Sequence, residues 1–196
     1  MRNARIAKKK LDTIAKKIGY RKVHYIALCR MLNKEFKSLK VRFEFRTWMD
    51  QFYTDDIRQK DYLVFGGHYD THNEYKYQVN IDRDPNLIYI KPRRGFFTEA
   101  YLTVVHELRH GYQHRARKFR KRRKEDDSFV YDKDIFFQDN IRYLMDYDEI
   151  DAYAMEHAEA IKMNHDKKND RYDVLKKHAP RAWKKFHKKV YLFTHK

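Results

Sequence analysis

The clearest chemical signature in this chain is the segment TVVHELRH at residues 103–110, which contains the pattern HExxH. On a helix, residues four apart lie one turn apart on the same face, so His106 and His110 can direct both imidazoles at one metal ion. Zinc suits neutral imidazole nitrogen, at about 2.0–2.1 Å. Glu107 lies beside the pair and could take a proton from metal-bound water. The segment therefore predicts a Zn²⁺ site with two histidine ligands and a glutamate base.

Two histidines leave such a site one ligand short, because catalytic zinc usually takes three protein ligands and a water. The acidic segment DYDEIDAYAMEHAEA at residues 146–160 is the expected source of the third. Its candidate acids are Asp146, Asp148, Glu149, Asp151 and Glu156, and spacing alone does not choose among them. Asp148 and Asp151 are kept as the alternatives to Glu149. The small residues Ala152 and Ala154 predict that this segment is a helix packed closely against a neighbour.

The sequence HELRHGYQH, followed by a helix reading E-x-D-A, resembles the gluzincin branch of the zincin metallopeptidases, especially small phage and bacterial forms. Those forms often carry a glutamine a little beyond HExxH, as Gln113 is here. The resemblance covers roughly residues 20–165 and implies peptide-bond hydrolysis on a minimal zincin fold. It implies that His106 and His110 are metal ligands and that Glu107 is the general base. It also implies that Glu149 is the third ligand.

The chain departs from the related metzincin pattern, in which a further histidine ligand follows six residues after the second one. Here His114 comes four residues after His110, near the same helix face, where it could support the ligands from outside. Such sites often use a tyrosine or histidine to stabilise the oxyanion. Candidates beside the third-ligand segment are Tyr147, Tyr153 and His157.

The elements that must position these residues are read from hydrophobic periodicity. VRFEFR at residues 41–46 alternates apolar with charged side chains, which is typical of a half-buried strand. Gly19 predicts a helix end, whereas Gly66-Gly67 and residues 82–86 predict turns between strands. The predicted helices are 3–18, 23–36, 98–117, 135–163 and one after Asp173 that is interrupted near Pro180; the predicted strands are 41–46, 62–65, 75–81 and 87–90.

We therefore predict an α+β fold of the minimal zincin type. It has N-terminal helices, a small and mostly antiparallel sheet, the HExxH helix, the third-ligand helix and a basic C-terminal helix. Repeats and a clear linker are lacking in the sequence, so we expect a single domain over residues 1–196, with basic helical extensions at both ends.

The charge balance is strongly basic, with 45 Lys and Arg against 28 Asp and Glu, a net charge of +17. Such an excess attracts polyanions such as nucleic acid, although a basic soluble surface has the same composition. The densest cluster follows the HExxH helix and could bind phosphates or acidic substrate segments, or simply be solvated. Its candidate contacts are Arg115, Arg117, Lys118, Arg120, Lys121, Arg122, Arg123 and Lys124.

Two further features carry less chemistry. Cys29 is the only cysteine, so no intrachain disulfide can form, and its apolar surroundings favour a core residue over a nucleophile. The sequence GGHYDTH could bring His68, Asp70 and His72 to one face, but a polar loop on the rim of the cleft is the preferred interpretation. The sequence contains neither a signal peptide nor a membrane span, so we expect a cytoplasmic location, or host cytoplasm or virion if the chain is phage-encoded.

The sequence is compatible with three functions. The first is an active zinc-dependent metallopeptidase acting on a protein or peptide, which Glu107 favours because a structural metal site needs no general base. The second is a catalytically idle zincin-fold protein that binds nucleic acid, another polyanion or virion proteins through its basic surface. The third is a protease working at nucleic acid, in the manner of SprT-like proteins.

Overall fold

The computed structural model describes residues 2–19, 21–47, 63–69, 76–116, 141–165 and 175–195. It has an α+β fold, as predicted. The chain divides into two compact units, residues 1–108 and 109–196, and the division falls inside the helix that carries HExxH. Each unit is described by itself, and a single domain over the whole chain stays a prediction.

The first unit contains two helices, five strands and the first part of a long helix among its described residues. These elements are α1 (Arg2–Ile18), β1 (Val23–His24), α2 (Tyr25–Phe36), a 3-10 turn (Lys37–Leu39), β2 (Val41–Thr47), β3 (Val64–Tyr69), β4 (Tyr77–Arg83), β5 (Tyr89–Ile90) and α3 (Arg94–Arg115). The second unit contains the end of α3, α4 (Tyr147–Lys162) and α5 (Pro180–Thr194), with helical residues also at 141–145 and 175–178.

Helix α1 is amphipathic, as predicted, and ends at Gly19, whose φ of +60° suits glycine at a helix end. The start of α2 differs from the prediction. Val23–His24 forms a short strand paired with β5, and the helix begins only at Tyr25. Ile26 consequently lies on the first turn and is exposed, while the buried side chains follow at helical spacing: Leu28, Leu32 and Phe36.

The main sheet has three strands in the order β2-β4-β3. Strand β4 is antiparallel to β3 but parallel to β2, and the separate β1-β5 pair is antiparallel. The sheet is therefore mixed. The prediction of mostly antiparallel pairing did not include the parallel β2-β4 pair. A parallel pair needs a long crossover connection, which local turn signals do not reveal.

The prediction that Gly66-Gly67 forms a turn is wrong. Both glycines lie inside β3, where they pair with Asn80 and Val79 of β4. Strand β4 also continues to Arg83, beyond the predicted end at residue 81. Glycine inside a strand often marks a place where another group approaches the backbone closely, and this is the case at Gly67, as described below.

The side chain of Asn33 attaches helix α2 to strand β2, which is an edge strand among the described strands. Asn33 Oδ1 accepts a hydrogen bond from Phe43 N at 2.7 Å, and Asn33 Nδ2 donates to Phe43 O at 3.0 Å. These are the two backbone groups that a neighbouring strand would otherwise bind. Cys29 Sγ donates to the same carbonyl at 3.2 Å, and burial raises the pKa of this thiol, which agrees with a packed cysteine rather than a nucleophile.

The predicted single helix over residues 135–163 is also wrong. Residues 135–140 lie outside the described part of the chain, and the helix is interrupted at Asp146, whose ψ of 130° is not helical. Asp146 Oδ1 accepts from Asp148 N at 2.9 Å and so begins α4 as a separate helix. Periodicity continues across this break, so it did not reveal the cap.

Apolar side chains of α4 and α5, together with those of residues 141–145 and 175–179, form the core of the second unit. Ala154 and Ala182 are small enough to allow close approach of the two helices, as the alanines of the acidic segment predicted. The larger buried members of the core are Ile141, Leu144, Met145, Ile150, Leu175, Phe186 and Val190.

Replacing Asn33 by alanine should lower the free energy of unfolding by about 1–3 kcal/mol, because the N–H of Phe43 loses its side-chain acceptor and the carbonyl of Phe43 loses the stronger of its two side-chain donors. Denaturant unfolding measures the loss. Lys34→Ala is the matched control on the same helix, since Lys34 is exposed, and it should change stability by less than about 0.5 kcal/mol. Equal effects of the two substitutions would contradict the role of Asn33.

Candidate metal centre

Helix α3 carries HExxH and is buried where the motif begins. The apolar residues that precede and interrupt the motif are almost inaccessible, namely Leu102, Val104, Val105 and Leu108. They fix the rotation of the helix about its axis. His106 and Glu107 are consequently buried, with 6% and 3% of their surface exposed, and His110 is half-buried.

The structure brings together the three side chains that the sequence and the resemblance singled out as ligands. One ligand atom each from His106, His110 and Glu149 lies within 4.8 Å of the other two. His110 Nε2 and Glu149 Oε1 are 3.4 Å apart. Two imidazoles and one carboxylate are common ligands of divalent metal ions, so this group could hold a metal ion.

Glu149 occupies the first turn of α4. The helix macrodipole stabilises acidic side chains at this end, and the Asp146 cap fixes where the turn begins. Asp148, an alternative third ligand, does not belong to the group of candidate ligand atoms among the described residues. The choice of Glu149 therefore agrees with the geometry, and its role as a ligand stays a prediction.

Asp151, the other alternative, has a different role. Only 1% of its side chain is exposed, and it forms two ion pairs in the second unit. Arg109 Nε donates to Oδ2 at 2.5 Å, and Lys189 Nζ donates to Oδ1 at 2.5 Å. Burial by itself would raise the pKa of Asp151, but these two cations outweigh it and lower the pKa below its usual range. Asp151 is therefore a charged connection between α3, α4 and α5.

Gln113 connects this carboxylate to the candidate ligands. Its side-chain Oε1 lies 2.9 Å from His110 Nδ1. Its Nε2 donates to the backbone oxygen of Asp148 at 2.8 Å and to Asp151 Oδ2 at 3.0 Å. Gln113 is 2% exposed, so water is largely excluded from these hydrogen bonds.

Glu107 lies directly against strand β3 within the first unit. A Cβ atom added to Gly67 would meet Glu107 Oε1 at 2.1 Å and Glu107 Cδ at 2.6 Å, which is closer than side chains can approach. At the neighbouring Gly66, no atom lies within 4 Å of such a Cβ. Glycine is therefore required at position 67 to leave room for the carboxylate of Glu107.

The oxyanion candidates proposed from the sequence occupy packed positions. Tyr147 Oη accepts a hydrogen bond from Lys189 Nζ at 3.2 Å. Tyr153 packs against the core of the second unit, and the ring of His157 lies 5.7 Å from that of Phe186. The assignment of an oxyanion group to one of them stays a prediction.

Other predicted contacts lie at the surface or beyond the described residues. His114 and Arg115 are exposed at the end of α3, and His68 is exposed on β3. The rest of the basic cluster, residues 117–124, lies outside the described residues, as do Asp70 and His72. The polyanion contacts therefore stay a prediction.

Three residues around the site have roles that sequence reasoning did not assign. Gln113 lies three residues after His110, a spacing at which helical side chains meet, so this contact had a local signal. The pairing of Arg109 and Lys189 with Asp151 had no local signal, because Asp151 is distant from both along the chain. Their sequence context also resembles that of other basic residues. Lys189 belongs to a helix whose remaining lysines are exposed.

Among the residues that the structure describes, no helix combines the length and the apolar character needed to cross a lipid bilayer.

In comparisons with known proteins, no family model, curated protein or solved structure matches this chain.

Asp151→Ala should lower the free energy of unfolding by about 3 kcal/mol, because it leaves two cations largely buried without their carboxylate. Arg109 and Lys189 keep side-chain exposures of 12% and 17%, which places the cost at the lower end for buried pairs. Denaturant unfolding at neutral pH measures it. Glu159→Ala, which removes a pair with Lys162 on the outside of α4, should cost no more than about 0.5 kcal/mol. A similarly small cost for Asp151→Ala would contradict its assigned role.

Proposed function

We propose that this protein is a zinc-dependent metallopeptidase of the zincin type, with His106, His110 and Glu149 as ligands and Glu107 as general base. The observation that carries the proposal is the convergence of the three ligand atoms, with a buried glutamate next to the first histidine in sequence. The resemblance of HELRHGYQH and E-x-D-A to gluzincins supports the same assignment.

The donor set fits zinc. Tetrahedral coordination with ligand distances of about 2.0–2.1 Å separates neighbouring donor atoms by roughly 3.3 Å. His110 Nε2 and Glu149 Oε1 are 3.4 Å apart, close to that edge length. Two histidines and one glutamate leave a fourth position for water, as in catalytic rather than structural zinc sites.

When bound, zinc would polarise the scissile carbonyl and make water acidic enough to supply hydroxide near neutral pH. Glu107 accepts the proton of the attacking water and returns it to the nitrogen of the leaving amine. Its burial keeps bulk water from the carboxylate, and Gly67 leaves the space in which the carboxylate sits. His106 and His110 hold their rings on one face of a buried helix, which orients both before a metal ion binds.

The position of β3 supports a peptide as the substrate. Among the described strands, β3 has β4 as its one partner and is an edge strand. An extended peptide can add to such an edge through backbone hydrogen bonds. Because Gly67 of β3 lies against Glu107, a peptide paired along this strand would bring its backbone near the base.

Purified protein should contain about one zinc ion per chain. His106→Ala, His110→Ala and Glu149→Ala should each reduce the zinc content, because each removes one of three ligands. Elemental analysis after dialysis measures the content, and Glu159→Gln on the same helix as Glu149 is the control that should retain zinc. Full zinc retention by both histidine variants would refute the metal site.

Glu107→Gln should keep zinc and the fold but lower the hydrolysis rate by about 10²–10⁴-fold, which is the usual contribution of a general base. Cleavage of an unfolded protein such as casein, followed by mass spectrometry of the fragments, measures the rate. Equal rates for the variant and the wild type would exclude Glu107 as the base. Zinc binding by a wild type that cleaves neither unfolded nor native proteins would favour the alternative of an idle zincin-fold protein that acts through its basic surface.

Gly67→Ala should lower hydrolysis while zinc is retained, because the new methyl group displaces the carboxylate of Glu107 rather than a ligand. The fold should tolerate the change, since the three nearest atoms all belong to the side chain of Glu107 and none of them to the backbone. Gly66→Ala is the matched control, because a Cβ there meets no atom within 4 Å. The rates of the two variants on the same substrate are compared, and equal activity would contradict the contact between β3 and the base.

A further inference from the structure

The amide of Gln113 can adopt only one orientation in this site. Its Nε2 faces two acceptors, the backbone oxygen of Asp148 and Oδ2 of Asp151, at 2.8 and 3.0 Å. Rotating the amide by half a turn would place its oxygen against both acceptors and lose two hydrogen bonds. For a side chain that is 2% exposed, water cannot replace them, so the reversed orientation is strongly disfavoured.

This orientation decides which nitrogen of His110 carries the proton. Gln113 Oε1 can only accept, and it lies 2.9 Å from His110 Nδ1. In the neutral ring, this acceptor favours the hydrogen on Nδ1 and the lone pair on Nε2. Nε2 is the atom 3.4 Å from Glu149 Oε1, so the lone pair is available on the side where the candidate ligands converge.

We infer that Gln113 is a positioning residue that holds His110 as the Nδ1–H tautomer with Nε2 directed at the metal, and that Asp151 and the carbonyl of Asp148 fix Gln113. This inference rests on the proposed function in naming Nε2 as a metal-ligating atom. The hydrogen bond from Nδ1 also limits rotation of the ring about its Cβ–Cγ bond, so the imidazole is oriented before a metal ion arrives.

The support for Gln113 is itself held in place. Asp151 Oδ2, which accepts from Gln113, also accepts from Arg109, which lies on α3 with Gln113. Its other oxygen accepts from Lys189 of α5. The carboxylate of Asp151 is therefore held by side chains of both α3 and α5, and it in turn holds the amide of Gln113.

Gln113→Met tests the inference, because methionine has a similar length but cannot accept the proton of Nδ1. Two readouts are needed, of which the first requires no metal. In metal-free protein at a pH where imidazole is neutral, ¹⁵N–¹H spectra of the His110 ring should show the Nδ1–H tautomer in the wild type and a mixture of both tautomers in Gln113→Met. Zinc affinity, measured by competition with a chelator, should fall about 10–100-fold.

Lys188→Met is the control, because Lys188 is exposed on the same helix as Lys189 and takes no part in the contacts described for Asp151 and Gln113. The His110 tautomer in this control variant should match that of the wild type. Thermal unfolding of both variants checks that each is folded. An unchanged His110 tautomer in folded Gln113→Met would overturn the inference, as would unchanged zinc affinity. A wild type that binds no zinc would instead overturn the proposed function, and the metal-free spectra would still decide the role of Gln113.

Discussion

The buried carboxylate of Asp151 is the interaction on which the arrangement of the second unit depends. It accepts from Arg109 on α3 and Lys189 on α5 while belonging to α4, so one side chain joins all three helices. A buried charge is costly unless opposite charges and hydrogen bonds surround it, and here both oxygens have such partners. Because α4 is held in this way against the end of α3, Glu149 lies beside His110.

The first unit contributes a different constraint, which is close packing around Glu107. The apolar residues of α3 bury Glu107, and Gly67 of β3 leaves the space that its carboxylate fills. The same strand is an edge of the sheet among the described strands. A carboxylate that is kept from bulk water and lies against β3 supports the proposed proton transfer to a substrate that binds as an extended chain.

The overall charge of +17 contrasts with the local composition of the site. Around the candidate ligands there are three acids, Glu107, Glu149 and Asp151, but two cations, Arg109 and Lys189, so a divalent cation would meet a slightly acidic environment rather than a basic one. Net charge describes attraction to distant partners, whereas affinity for a metal ion depends on the few groups within contact distance.

The sequence by itself determined what depends on short spacing along the chain. The four-residue separation of His106 and His110, the amphipathic α1 and the alternating β2 were all predictable, because a helix or a strand brings such residues to one face wherever it lies. The tertiary structure alone decided the rest. It placed Glu149, rather than Asp148 or Asp151, beside His110, paired Asp151 with Lys189 thirty-eight residues away, and placed Gly67 in a strand rather than a turn. These outcomes depend on contacts between distant segments, and local periodicity carries no information about which segments meet.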